Sequence, residues 1–291
     1  MAGDEVFLRE WGSAGNGDGQ FNVVISVAVH GDEVYVTDFR NQRVQVFDRR
    51  GDYLRQWGQA GAGDGEFAAP NGPAGLAVHE DEVYVTDLGN NRVQVFNRHG
   101  TFLRKWGSAG DEDLQFNTPG RVAVHAQDVY VTDSGNQHVK VFDRGDVFLG
   151  KWGSAGNGDG QFNGPAGIVV HGHEVYVADR FNSRIQVFDR RGVFLRKWGH
   201  SGAGDGEFAA NGPNDGPVGV AVHGNVIYVT DFGNNRVQVF DRTGGFRRKF
   251  GSVGSEPGEF QNPAGVAVHG DEVYVADRNN NRVQVFRRGS P

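Results

Sequence analysis

Apolar residues come in runs of four to six, rich in Val, Ile, Phe and Tyr, and Gly- and Asp-bearing polar stretches separate them. No helical stripe of any length interrupts this rhythm. Short β-branched and aromatic runs bounded by turn residues predict β-strands. From Phe162 the order is GPAGIVVH (164–171), a tight turn at Gly172-His173, EVYVAD (174–179), a polar loop, RIQVF (184–188), the turn DRRG, and VFLRKWG (193–199). That is four short antiparallel strands joined by tight turns. A Gly-rich crossover, HSGAGDGEF, then leads into the next unit.

The unit repeats. The cassette YVxD-xxNxRVQVF starts at Tyr35, Tyr84, Tyr130, Tyr176, Tyr228 and Tyr274, so its Asp residues are Asp38, Asp87, Asp133, Asp179, Asp231 and Asp277. Their separations are 49, 46, 46, 52 and 46 residues. A period in this range indicates a solenoid or propeller. Four strands per repeat favour the propeller, whose radial stacking lets 291 residues form one unit. The ends sharpen this. Residues 6–12, VFLREWG, read as an outer strand with no inner strands before it, and the chain closes on QVFRRG after a third strand. Joining them predicts an all-β, six-bladed propeller, 1–291, with four antiparallel strands per blade. The N-terminal strand closes the ring by completing the last blade and covers its otherwise open edge.

These motifs resemble the NHL-repeat propellers. The resemblance spans all six repeats. It rests on the linker G-x-G-D-G-[QE]-F (Gly17–Phe21, Gly63–Phe67, Gly158–Phe162, Gly204–Phe208), the P-x-G-V-A-V start (Pro73, Pro217, Pro263) and the Y-V-x-D and N-x-R-V-Q-V-F strands. It is closest to the NHL domains that end tripartite-motif proteins and bacterial sensor kinases. The resemblance implies a binding module for RNA, protein or peptide. Two blades depart from it: Val24-Ile25-Ser26 replaces Pro-x-Gly in the first, and Arg121 stands at the Gly position in the third. Both departures are expected in the loop entering the innermost strand.

Charge and composition narrow the function. The net charge of −7 disfavours bulk attraction to nucleic acid, though not a local basic face. There is no cysteine, so neither a disulfide frame nor thiolate chemistry. The first dozen residues do not resemble a signal peptide, and the most apolar stretch, 23–29, is too short to span a bilayer. A cytoplasmic monomer without membrane contact is the expectation.

Three recurring groups could carry chemistry, and each reads better as structure. The Asp-x-x-Asn-x-Arg loop appears in five blades. Asn suits positive φ, Asp accepts backbone N–H groups, and Arg can pair with a carboxylate through two bonds. His138 replaces the Arg in blade three, which predicts a looser or pH-sensitive loop there. His30, His79, His125, His171, His223 and His269 end the innermost strands, but each belongs to a different blade, whereas a metal needs ligands converging on one point. Trp11, Trp57, Trp106, Trp152 and Trp198, with Phe250, share one outer-strand position and read as packing between blades. No phosphate loop, nucleophile elbow or zinc-hydrolase motif is present. No cofactor, metal or catalytic residue is expected.

A near-symmetric ring recognises a ligand where its copies differ. The copies differ most just after the repeat Asp: Phe39-Arg40, Leu88-Gly89, Ser134-Gly135, Arg180-Phe181, Phe232-Gly233 and Arg278-Asn279. With Arg121, these loops share one face. The candidate ligand-binding residues are therefore Phe39, Arg40, Leu88, Arg121, Ser134, Arg180, Phe181, Phe232 and Arg278. Exposed Phe and Arg suit docking of a protein or peptide, or stacking of single-stranded RNA. The first is the preferred reading: a non-catalytic binding scaffold. RNA is the alternative, opposed by the acidic crossovers. A lyase- or lactonase-like enzyme would need a central metal. An engineered or recently amplified propeller with no selected ligand is the fourth alternative, motivated by the similarity of the repeats.

Overall fold

The second and third strands of each blade, such as Glu33–Asp38 and Arg43–Asp48, are buried at almost every position. Both of their faces are covered by neighbouring blades, so alternation disappears from the sequence, as it does wherever a sheet is packed on two sides. The outer strands, such as Phe194–Trp198, alternate half-buried and exposed residues because one face meets solvent. A computed structural model describes residues 5–209, 212 and 215–289, and in it these strands form six four-stranded antiparallel sheets in a ring. The rest of the chain, including part of the crossover AANGPNDGPVG, lies outside the described residues.

The innermost strands, for example Pro73–His79 and Pro165–His171, line the axis, and the chain works outward through each blade. In the last blade, Val6–Trp11 pairs antiparallel with Arg282–Arg287, Val6 opposite Arg287 and Trp11 opposite Val283. The ring closes as the sequence predicts. Around the axis the inner strands approach so closely that a Cβ on Gly75 would lie 2.7 Å from Arg121 Cα, and one on Gly265 2.9 Å from Ile25 O. This crowding accounts for the Gly of the P-x-G start.

Between blades, each outer-strand Trp bridges its own blade and the next. Trp11 lies 6.4 Å from Tyr274 and 5.8 Å from Phe47, ring to ring. The turn glycines Gly51, Gly100, Gly192 and Gly244, all at positive φ, sit flat against the preceding Trp; a Cβ there would reach the ring at under 3 Å.

The repeat Asp is the hub of each blade. Asp38 Oδ1 accepts Asn22 N–H at 2.7 Å; Oδ2 accepts Asn41 Nδ2 at 2.9 Å, Arg43 Nε at 2.7 Å and Gln45 Nε2 at 3.2 Å. Two details differ from expectation. Arg43 gives the carboxylate a single bond; its other N–H groups go to the crossover carbonyls of Asn16, Gly17 and Gln20 and to Gln56 Oε1. The positive-φ residue is the one after Asn, namely Gln42, Asn91, Gln137, Ser183, Asn235 or Asn281. The Asn side chain instead ties Asp to the crossover, as Asn41 does through Gly15 O at 2.8 Å. The hub thus fastens each Gly-rich crossover to its blade. Burial raises the Asp38, Asp179 and Asp231 carboxyls, against the pull of these donors.

The hub of blade three keeps a cation. Where His138 replaces Arg, Lys140 replaces the buried Gln, and its ammonium lies 3.1 Å from Asp133 Oδ2. Lys140 also donates to Glu112 O at 2.8 Å and to Gln115 O.

At the opposite end of the second strand a carboxylate, a Tyr and two Arg join adjacent blades. Tyr35 Oη donates to Glu33 at 2.5 Å, and Arg55 and Arg98 pair with the same carboxylate at 2.7 and 2.9 Å. Glu82, Glu174 and Glu272 repeat the arrangement. Burial alone raises the Glu33, Glu82 and Glu272 carboxyls, but bonds from Arg and Tyr outweigh it and bring them down to about 2. Glu174, led by its Arg196 bond, also falls to about 2. In blade five Val226 occupies the acid's position, and Glu5 reaches in from the N-terminal segment to take Arg248 at 2.7–3.0 Å.

These shifts carry a sign. Carboxyls depressed from 4.5 to about 2 on folding add stability above pH 4.5, and lose it as pH falls toward 2. The urea midpoint is expected to drop through that window, and less steeply in Glu174→Gln. Equal slopes for the two proteins would refute the assignment.

Candidate functional site

One end of the ring carries the loops that follow the hub Asp residues; the innermost strands end in the six His residues at the other. At the Asp end of the axis lies a pocket of about 470 Å³. Eight of the nine sequence-predicted positions line it: Phe39, Leu88, Arg121, Ser134, Arg180, Phe181, Phe232 and Arg278. Arg40 does not; it is exposed on the rim of the same face. Residues that the sequence reading missed complete the lining, chiefly Ile25, Ala74, Gly120, Ala166, Val218 and Ala264. These are the middle positions of the six P-x-G starts. Their variation from Gly to Ile was the available signal.

Two expectations need correction. Arg121 is not in a loop but is the third residue of the inner strand Pro119–His125. From there its guanidinium reaches two other blades, donating Nη1 to Ala74 O at 3.0 Å and Nη2 to Ile25 O at 3.1 Å. Phe232 is not an exposed anchor: it is 5% exposed and packs on Val218 and Ala264. Its ring lies 5.3 Å from the Arg180 guanidinium and 5.5 Å from that of Arg278, so two cations from neighbouring blades attend one aromatic face or edge. Phe181, 43% exposed, supplies the accessible ring and lies 5.2 Å from Arg180. Ser134 donates its hydroxyl to Pro165 O at 2.6 Å and is thereby fixed.

The pocket is electropositive within an acidic protein. Burial pushes the Arg121 guanidinium down to about 10, and Arg180 and Arg278 add to the shift. Arg180 is lowered to about 10 by burial and then by Arg278, against the attraction of Asp215. Arg278 is lowered by burial and by Arg40. All three remain cations at neutral pH, in surroundings where a bound negative charge is strongly favoured.

The other candidate chemistry lies elsewhere. The six His residues stay on separate inner strands; burial lowers His30, His125 and His223, with neighbouring cations and imidazoles adding to it. Among the described residues, one trio has metal-ligating geometry: Asp111, Asp133 and His138, with ligand atoms within 4.8 Å of one another. It lies outside the pocket lining, and the Lys140 ammonium already holds Asp133. No helix among the described residues is long and apolar enough to cross a membrane.

Ring, hubs and axial pocket together define a six-bladed β-propeller. Sequence profiles specify which kind. The NHL-repeat profile matches residues 71–96, 116–142, 162–188, 214–240 and 260–286, and a profile described as a 6-bladed beta-propeller matches 18–74. The chain is a six-bladed propeller built of NHL repeats. No curated protein matches it. Among solved structures, a Bacteroides thetaiotaomicron protein of unknown function is similar, with 17% identity and a TM-score of 0.69, covering 95% of this chain and 74% of that one. A streptogramin B lyase is similar with 14% identity and a TM-score of 0.63, covering 97% and 98% of the two chains. Virginiamycin B lyase from Staphylococcus aureus has 13% identity and a TM-score of 0.59, covering 96% and 94%. At these identities the likeness is one of fold.

Proposed function

We propose that this chain is a non-catalytic recognition propeller whose axial pocket at the Asp end receives part of a protein or peptide ligand. The observation that carries this reading is the convergence of the most variable positions of a near-identical repeat on one pocket. Copies that share the hub Asp and Asn differ here: Phe39, Leu88, Ser134, Arg180, Phe232 and Arg278 follow the same Asp in successive blades. Aromatic rings beside guanidiniums in a concave apolar setting are the usual anchors of interfaces. The lining groups are apolar, guanidinium, hydroxyl and amide, a set suited to holding a ligand. The hubs behind them give the loops a rigid base.

The test is selection from a random dodecapeptide library against the immobilised protein, with Phe181→Ala as the counter-target. Enriched peptides are expected to bind in anisotropy titrations, and to weaken at least about ten-fold in the variant, as for an interface anchor. Because Phe181 is 43% exposed, the variant should keep its melting temperature to within a few degrees. Peptides that bind both proteins equally would sink the reading. A random single-stranded RNA pool run alongside, bound with a steep salt dependence, would replace the peptide reading with the RNA one.

A further inference from the structure

The hub arginines each have an acid: Arg43, Arg92, Arg184, Arg236 and Arg282 lie 2.7–2.8 Å from their Asp partners. The pocket arginines are treated differently. Among the described residues no carboxylate pairs with Arg121 or Arg278. Arg121 bonds to two backbone carbonyls, and Arg278 Nε is buried with no hydrogen-bond partner. Arg180 and Arg278 both act on Arg121, and Arg278 acts on Arg180, which Asp215 attracts. Holding the Arg121 and Arg278 guanidiniums half-buried with no carboxylate partner among the described residues costs stability. The sister blades show that the fold does not require it, since Ser26 or Gly fills the position of Arg121, and Leu88 or Ser134 that of Arg278.

We infer that the pocket binds the free carboxylate of a peptide chain end whose last side chain is apolar or aromatic. This rests on the reading of the pocket as the recognition site. Arg121, Arg180 and Arg278 would take the carboxylate oxygens, by charge-assisted bonds of the kind that guanidinium geometry favours. Phe181 and the surface over Phe232, Val218 and Ala264 would take the side chain. The dimensions favour a chain end. A pocket of about 470 Å³ admits a compact group rather than a strand of nucleotides. A single buried carboxylate meets only the three cations.

The experiment uses the whole protein and three hexapeptide pools, each randomised at five positions. One ends in Phe as the free acid, one in Phe as the C-terminal amide, and one in phosphotyrosine amide. Affinity is read by competition against a fluorescent member of the free-acid pool and by direct titration of each pool. The free acid is expected to bind at least about ten-fold tighter than the amide, the worth of one hydrogen bond to a charged group. That ratio should fall to near one in Arg121→Ser and in Arg278→Ser, each of which copies a residue a sister blade already carries. Equal binding of acid and amide overturns the inference but leaves peptide recognition standing. Tighter binding of the phosphotyrosine pool reassigns the anion to phosphate and overturns the carboxylate. If no pool binds while the library-selected peptides do, the chain-end assignment fails alone. If neither binds, both readings fail together.

Discussion

Lys140→Gln is expected to destabilise the propeller by about 3–5 kcal/mol, the usual cost of stripping the counter-charge from a buried ion. In five blades the fully buried hub carboxylate has an Arg Nε at 2.7–2.8 Å and a neutral Gln at 3.1–3.3 Å. Blade three inverts the pair. His138 Nδ1 is directed to Asp111, 3.6 Å away, and the cation on Asp133 is Lys140, itself 0% exposed. Gln at 140 reproduces the residue of the other blades without their Arg, leaving Asp133 only neutral donors. His138→Arg in the same background restores the standard hub. The double variant should therefore recover most of the loss. Urea unfolding of the four proteins in this cycle reads the coupling directly. A Lys140→Gln protein within about 0.5 kcal/mol of the parent, the range of ordinary surface changes, would show that the ammonium is not what neutralises Asp133.

The second large effect concerns closure. Removing residues 1–12 takes away Val6–Trp11 and with it the antiparallel ladder on Arg282–Arg287. It also removes Trp11 from between Phe47 and Tyr274, the Arg9–Glu272 pair at 2.7 Å, the Glu10–Arg282 pair at 2.9 Å, and Glu5 from Arg248. Val283 and Val285, both 0% exposed, would then border an open strand edge. Such an edge pairs with other chains. The truncated protein is expected to be insoluble or to elute as a strand-swapped oligomer on size exclusion. A monomer with an unchanged melting temperature would refute this account of closure.

These two cases also mark where the sequence was and was not legible. Strand order, six blades and the closing strand could be read because each blade repeats the same local pattern, and because VFLREWG and QVFRRG each lacked what the other supplied. The hub could be recognised as structural, but its bonding could not: that Arg43 spreads over three carbonyls depends on where a crossover more than twenty residues earlier in the chain folds back. Compensations were hidden for the same reason. Lys140 looks like a drifted Gln until His138 is seen to leave Asp133 without its Arg. Glu5 looks like a polar leader until Val226, 221 residues later, is seen to lack an acid. At the pocket, variability identified the loop positions, yet it could not distinguish Phe232, held under two guanidiniums, from Phe181, open to solvent. It also placed Arg121 in a loop, when its strand carries it across the axis.

The central claim is that recognition occurs in the axial pocket at the Asp end. Hydrogen exchange of the whole protein, with and without a library-selected peptide, tests it most directly. Slowed exchange in the loops at Arg180–Ser183 and Phe232–Asn235 and in the start of Pro119–His125, with the outer strands unchanged, is the predicted result. Protection confined to the outer strands or to the His end of the ring, with these segments unaffected, would contradict it.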